Sequence, residues 1–114
     1  MGDFSVGEVV FVKFPFSDLS STKLRPAVVL ASVGKDDFIL GQITSKRYAD
    51  LNAIGIKNDD FISGSLIKIS YVRSTKLFTA NSKLIEKSVA TLKRNKINEI
   101  LNNVISQFEI GLIK

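Results

Sequence analysis

The chain has 114 residues, 45% of them hydrophobic and 24% charged, which is the balance of one globular domain over 1–114 and not of a disordered or collagen-like chain. No apolar run reaches the roughly 18 residues of a membrane-spanning helix, and the start Met1–Glu8 lacks the basic head and apolar middle of a secretory signal, so a soluble cytoplasmic protein is expected. Cysteine and histidine are both absent, which removes disulfides, a cysteine nucleophile, zinc–thiolate and histidine metal sites and the Ser-His-Asp triad; no metal and no cofactor is expected.

In chain order, Glu8–Phe16 predicts a strand, with Val10, Val12, Phe14 and Phe16 on one face and Phe11, Lys13 and Pro15 on the other. Pro15 has no N–H to give to a ladder, so this strand ends there or lies at an edge. Ser17–Lys23 is polar and turn-forming and reads as a loop. Pro26–Ala31 is a short apolar run, β-branched at its centre, which predicts a buried strand. Gly34–Asp37 is a turn, and Phe38–Ile43 returns as the second arm of a hairpin. Thr44–Asp50 is polar loop, and Ile54 and Ile56 flank Gly55 in a short strand. Across Gly64–Arg73, Ile67, Ile69 and Tyr71 alternate with Lys68 and Ser70, which predicts another strand. Lys76–Ala80 extends that pairing after a bulge, and Val89–Leu92 adds a last short strand. Ile97, Ile100, Leu101, Val104, Ile105 and Phe108 then form one apolar stripe on a helix of about 14 residues. Five to seven short antiparallel strands under one amphipathic C-terminal helix make a mostly-β, barrel-like α+β domain.

Charge is unevenly spread. The 16 basic and 11 acidic residues leave +5, but residues 1–64 hold 7 basic against 8 acidic, and residues 65–114 hold 9 against 3. Lys83, Lys87, Lys93, Arg94 and Lys96 carry much of that excess, which fits either a polyanion-binding face or a solvated lysine-rich surface. Any catalysis falls to Arg, Lys, Ser, Thr, Tyr or a carboxylate, since no phosphate-binding glycine loop is present either. Phe61, Phe78 and Tyr48 are the aromatics considered for base stacking; Phe78 reads better as core, and Tyr48, beside Lys46 and Arg47, as the stacker.

Two motifs in order carry a resemblance. Gly7-Glu8-Val9-Val10-Phe11-Val12-Lys13-Phe14-Pro15-Phe16-Ser17-Asp18-Leu19 is followed, after the polar loop, by Leu24-Arg25-Pro26-Ala27-Val28-Val29-Leu30. Together with Gln42-Ile43-Thr44-Ser45, Tyr71-Val72-Arg73 and Lys76-Leu77-Phe78-Thr79, they resemble the MazF/PemK toxin family over nearly the whole chain. The resemblance implies an SH3-like barrel with a C-terminal helix. It also implies a homodimeric, metal-independent, sequence-specific endoribonuclease (an mRNA interferase) that cuts single-stranded RNA and is silenced by a cognate antitoxin. Gyrase-directed toxins share such a fold but lack the Arg-Pro and Thr pair that this chain retains.

By the same resemblance, Arg25 and Thr44 are the catalytic pair, Arg25 stabilising phosphate charge and Thr44 bonding the scissile phosphate. Ser45, Lys46, Arg47, Tyr48, Arg73 and Thr75 are placed along the RNA. Read without the family, Arg25 and Arg73 are equally surface arginines, and Thr44 is a strand-end hydroxyl bonding local backbone. Family members often carry an acidic residue where this chain has Thr75, and a glycine-containing loop where it has Leu19–Leu24. Threonine is no general base near neutral pH, so that role falls to Glu8, Asp18 or a water. The alternative reading is a catalytically degenerate SH3-like module that binds RNA or a protein without cutting.

Overall fold

The computed structural model describes residues 4–15, 22–46 and 50–112. Its strands are β1 (Glu8–Pro15), β2 (Thr22–Val33), β3 (Asp37–Thr44), β4 (Ala53–Ile56), β5 (Phe61–Gly64), β6 (Ser70–Asn81) and β7 (Ile85–Leu92), followed by the helix α1 (Arg94–Glu109). All the ladders are antiparallel, and the spatial order is β4-β6-β3-β2-β1-β7-β5. The outer strands β4 and β5 share no ladder among the described residues, so hydrogen bonds do not close the sheet. It is nevertheless strongly curled. Laid flat, seven strands at about 4.8 Å spacing separate their edges by roughly 29 Å. Here the two edge strands are joined through Lys57 and a 3₁₀ turn at Asn58–Asp60, a link that reaches at most about 18 Å. Ile56 and Phe61, one on each edge strand, bury into the same apolar cluster.

Both faces of the sheet are buried, which is why β2 reads as a continuous apolar run instead of an alternation. One face gathers Val9, Val28, Leu30, Ile43 and Val72 beneath Ile97 and Ile100 of α1. The other gathers Val10, Val12, Ala27, Val29, Phe38, Leu40, Ala80 and Ile85, with the ring of Phe4 edge-on to Phe38 at 5.6 Å. Gly7 joins sheet to helix. Its N–H donates to the Val29 carbonyl, its own carbonyl accepts from Leu92, and it sits at φ +97°. A Cβ there would lie 2.2 Å from Cδ1 of Ile97, so α1 packs this closely only over a glycine.

The hairpin at Gly34–Asp36, the bulge within β6 and the C-terminal helix stand where the patterns place them. The continuous strand expected over Gly64–Arg73 does not form. β5 ends at Gly64, β6 begins at Ser70, and Ile67 and Ile69 project into solvent. The cause is Gly64 itself: at φ +70°, it lies so close to β7 that a Cβ would meet the Val89 carbonyl oxygen at 2.1 Å. The chain turns there, and the alternation beyond it has no sheet to lie on. Two further boundaries move outward, with β2 beginning at Thr22, inside the expected loop, and β7 at Ile85. Phe16 and the loop residues 17–21 lie outside the described residues, as does the side chain of Phe14. No described helix is long and apolar enough to cross a membrane.

Candidate active site

Register builds the site. Ala27 on β2 pairs with Gln42 on β3, and Gln42 pairs with Arg73 on β6. Two residues back along β2 lies Arg25, and two residues on along β3 lies Thr44, so the two-residue period puts all five side chains on the face of the second core. Toward Phe38 this face is filled by Val29, Leu40 and Ala80. Toward the end of β3 it becomes polar, and a groove of about 390 Å³ opens, lined by Lys23, Arg25, Gln42, Thr44, Ser45, Lys46 and Arg73. Four of those side chains are cationic.

The hydroxyl of Thr44 is oriented by its own turn. Its Oγ1 accepts the backbone N–H of Lys46 at 3.1 Å, which occupies an acceptor site and leaves the O–H as a donor at the groove. Arg73 is held by a carboxylate: its Nε donates to Oδ2 of Asp50 at 2.8 Å, with the Asp50 side chain only 7% exposed. Asp50 is itself fixed, since Oδ1 accepts the Asn52 N–H at 3.0 Å and its carbonyl accepts from Ala53. The hydrogen bond from Arg73 holds the Asp50 carboxyl below its ordinary value of 3.8, against burial, which pushes the other way. Asp50 is therefore a carboxylate throughout the neutral range.

Of the residues expected along the RNA, Ser45, Lys46 and Arg73 line the groove with Arg25 and Thr44. Arg47 and Tyr48 lie outside the described residues, as does Asp18. Thr75 does not line the groove. Gly41 pairs with Leu77 while Gln42 pairs with Arg73, so Ser74, Thr75 and Lys76 bulge out, and Thr75 lines a separate hollow with Ser74, Leu77, Gln107 and Phe108. Glu8 stands at the far end of β1, four residues or about 13 Å from the Val12–Arg25 pair, and accepts the Ser5 N–H. Phe61 is core and Phe78 packs against core.

Apart from Arg73, the described basic residues of the C-terminal half do not line the groove. Lys87 lies over the Phe11 ring at 6.0 Å, Lys93 and Arg94 begin α1, and Lys96 is bonded to Glu99 and to the Gly55 carbonyl. Among the described residues no three acidic side chains gather as metal ligands. Lys23 and Gln42 line the groove and Asp50 holds one of its arginines, places that reading the sequence did not assign them. Only Asp50 left a local trace, the Asp-x-Asn spelling of an Asx turn.

The family comparison agrees with this geometry. Residues 5–108 match the family described as PemK-like, MazF-like toxin of type II toxin–antitoxin system, and the chain belongs to that family. Solved structures share the fold. A MazE–MazF complex from Deinococcus radiodurans superposes with a TM-score of 0.74 at 15% identity, covering 93% of this chain and 96% of that one. The toxin MazF-mt6 of Mycobacterium tuberculosis gives 0.69 at 12% identity, covering 90% and 96%. An endoribonuclease in complex with its cognate antitoxin, from a mycobacterial species, gives 0.69 at 13% identity, covering 96% of each. No curated protein matches the sequence significantly.

Proposed function

We propose that this toxin is a sequence-specific endoribonuclease that cuts single-stranded RNA, mRNA included, without a metal ion. The observation that carries this reading is the convergence of Arg25, Thr44 and Arg73 on one cationic groove from three adjacent strands. RNA brings its own nucleophile. The ribose 2′-oxygen attacks phosphorus, the bond to O5′ breaks, and the products are a 2′,3′-cyclic phosphate and a 5′-hydroxyl. One proton leaves the 2′-hydroxyl and one reaches O5′, so the protein's main task is to hold the negative charge gathering on the phosphoryl oxygens. Guanidinium forks suit those oxygens, and Thr44 adds an oriented O–H. Losing one such donor costs enzymes roughly 10²–10³ in rate. Of the bases considered, Glu8 is set aside by its distance from the groove and its bond to the Ser5 N–H.

The same reading includes two protein partners. A cognate antitoxin lays an acidic segment over the groove, whose cations outnumber its carboxylate. A second copy of the chain covers apolar surface at the end of α1, where Ile105, Phe108, Ile110 and Leu112 are exposed. Sedimentation of the purified protein tests the dimer.

The test of the activity is incubation of wild type and Arg25→Ala with long mixed-sequence RNA in EDTA, followed by mapping of new ends. Discrete cuts by wild type alone are expected. Equal cutting by the variant removes Arg25 from the site. No cutting of several long RNAs replaces the nuclease with a binding module.

A further inference from the structure

We propose that Asp50 is the positioning residue of the groove: it binds Arg73 through Nε, fixes the plane of the guanidinium, and so aims its outer Nη edge at the RNA phosphate. The inference rests on the nuclease reading of the same groove.

A free arginine has several rotatable bonds, and ordering it against a ligand costs side-chain entropy at the moment of binding. A guanidinium already bonded through Nε to a fixed carboxylate has met that cost during folding. Asp50 can do this because it is itself held by hydrogen bonds. Both of its carboxylate oxygens are engaged, and only 7% of its side chain is exposed. The pair joins residues 23 positions apart, so it forms only when the segment after β3 folds back over β6.

α1 holds both sides of this pair in place. The Nδ2 of Asn103 donates at 2.8 Å to the carbonyl of Asn52, two residues beyond Asp50. It donates at 2.8 Å to Oγ of Ser74 as well, the buried neighbour of Arg73. One amide therefore ties the Asp50 turn to the strand that carries Arg73. The bulge that turns Thr75 away from the groove leaves the contact with Arg73 to a carboxylate from another segment.

The test is a double-mutant cycle of Asp50→Asn and Arg73→Ala, read in cleavage of one RNA of mapped cut site and in the NMR signal of Arg73 Nε–Hε. Asparagine keeps an oxygen for the Asn52 N–H, so the turn is retained while the charge is lost. We expect Asp50→Asn to lower kcat about tenfold with KM within threefold, and to have no further effect once Arg73 is alanine. We also expect the slowly exchanging Arg73 Nε–Hε signal of wild type to be lost in Asp50→Asn and restored in part in Asp50→Glu. An undiminished kcat in Asp50→Asn overturns the proposal, and so does a loss that persists in the Arg73→Ala background, which would mark Asp50 as a merely structural residue. If wild type does not cut RNA, the nuclease reading fails by itself. The Arg73 signal and the affinity for a short single-stranded RNA then decide the proposal: a variant that keeps both overturns it, and one that loses both upholds it.

Discussion

Two basic regions of this molecule differ in almost everything but charge. The groove at the end of β2 and β3 draws Lys23, Arg25, Lys46 and Arg73 into one concavity. The region around the start of α1 carries Lys93, Arg94 and Lys96 at a helix end where Lys93 and Arg94 are exposed. Lys96 there is spent on structure, reaching Glu99 at 2.8 Å, the Gly55 carbonyl at 3.3 Å and Asp60 at 3.9 Å. In the groove, a buried carboxylate aims one arginine and a backbone N–H orients one hydroxyl. Net charge counts both regions alike, yet of the two it is the first that gathers its cations in one groove beside an oriented hydroxyl. The lesson is that the sequence's +6 half does not contain most of the site: three of the four groove cations come from the half whose net charge is −1.

The sharpest way to break this contrast is to remove one arginine from each region. Arg25→Ala is expected to lower RNA cleavage by roughly 10²–10³. Arg94→Ala is expected to leave it within about twofold, as for an exposed residue far from the reacting phosphate. Single-turnover cleavage of one RNA at fixed salt measures both. Equal losses would mean that the phosphate lies across the helix start.

A smaller effect separates the regions in binding alone. Replacing Lys23 and Lys46 together by glutamine should flatten the plot of log affinity against log salt for single-stranded RNA by about 1.4, near 0.7 for each cation removed. The same exchange at Lys93 and Arg94 should leave the slope unchanged. Fluorescence anisotropy of a labelled oligonucleotide, titrated at several salt concentrations, reads both slopes.

Much of this architecture was legible because it is local. The alternation in β1, the apolar run of β2 and the stripe of α1 each follow from a period set by one element. Arg25 and Thr44 emerged from motif order, and the structure has both lining one groove. What escaped was non-local or broke a period. Counting by twos from Arg73 puts Thr75 on the groove face, but the bulge interrupts the count and delivers it toward α1. Asp50 reaches Arg73 only through the return of a loop, and no pattern within residues 44–50 encodes that partner. Ile67 and Ile69 show the reverse fault, a sound alternation with no neighbouring strand to receive it.

The Asp50–Arg73 pair also gives the groove side an acid dependence. The Asp50 carboxyl is held below 3.8 in the folded state and returns toward the ordinary carboxylate range on unfolding. Its contribution to stability is therefore complete above the unfolded value and is lost as pH falls through the lower folded one. Denaturant midpoints between about pH 5 and pH 2 should fall less steeply in Asp50→Asn than in wild type. An unchanged acid limb would show that the pair contributes no proton linkage.

The smallest expected effect lies at the helix start, and there it is a gain. Lys93 is the N-cap of α1 and makes no side-chain capping bond, and no acidic residue occupies the first turn. Lys93 and Arg94 thus set positive charge against the positive end of the helix dipole, each unfavourable by a few tenths of a kcal/mol. Lys93→Ser removes one of these charges and supplies an oxygen for a first-turn N–H, at a residue already in the extended conformation that an N-cap requires. Stability should rise by about 1 kcal/mol, or about 4 °C in Tm for a domain of this size, as measured by thermal unfolding. Cleavage should be unaffected, because Lys93 does not line the groove. A Lys93→Ser protein that is more stable but bound less tightly by the antitoxin would place the partner's acidic segment on the helix start instead of the groove. The uncapped, positively charged turn would then be a feature kept for binding at the expense of stability.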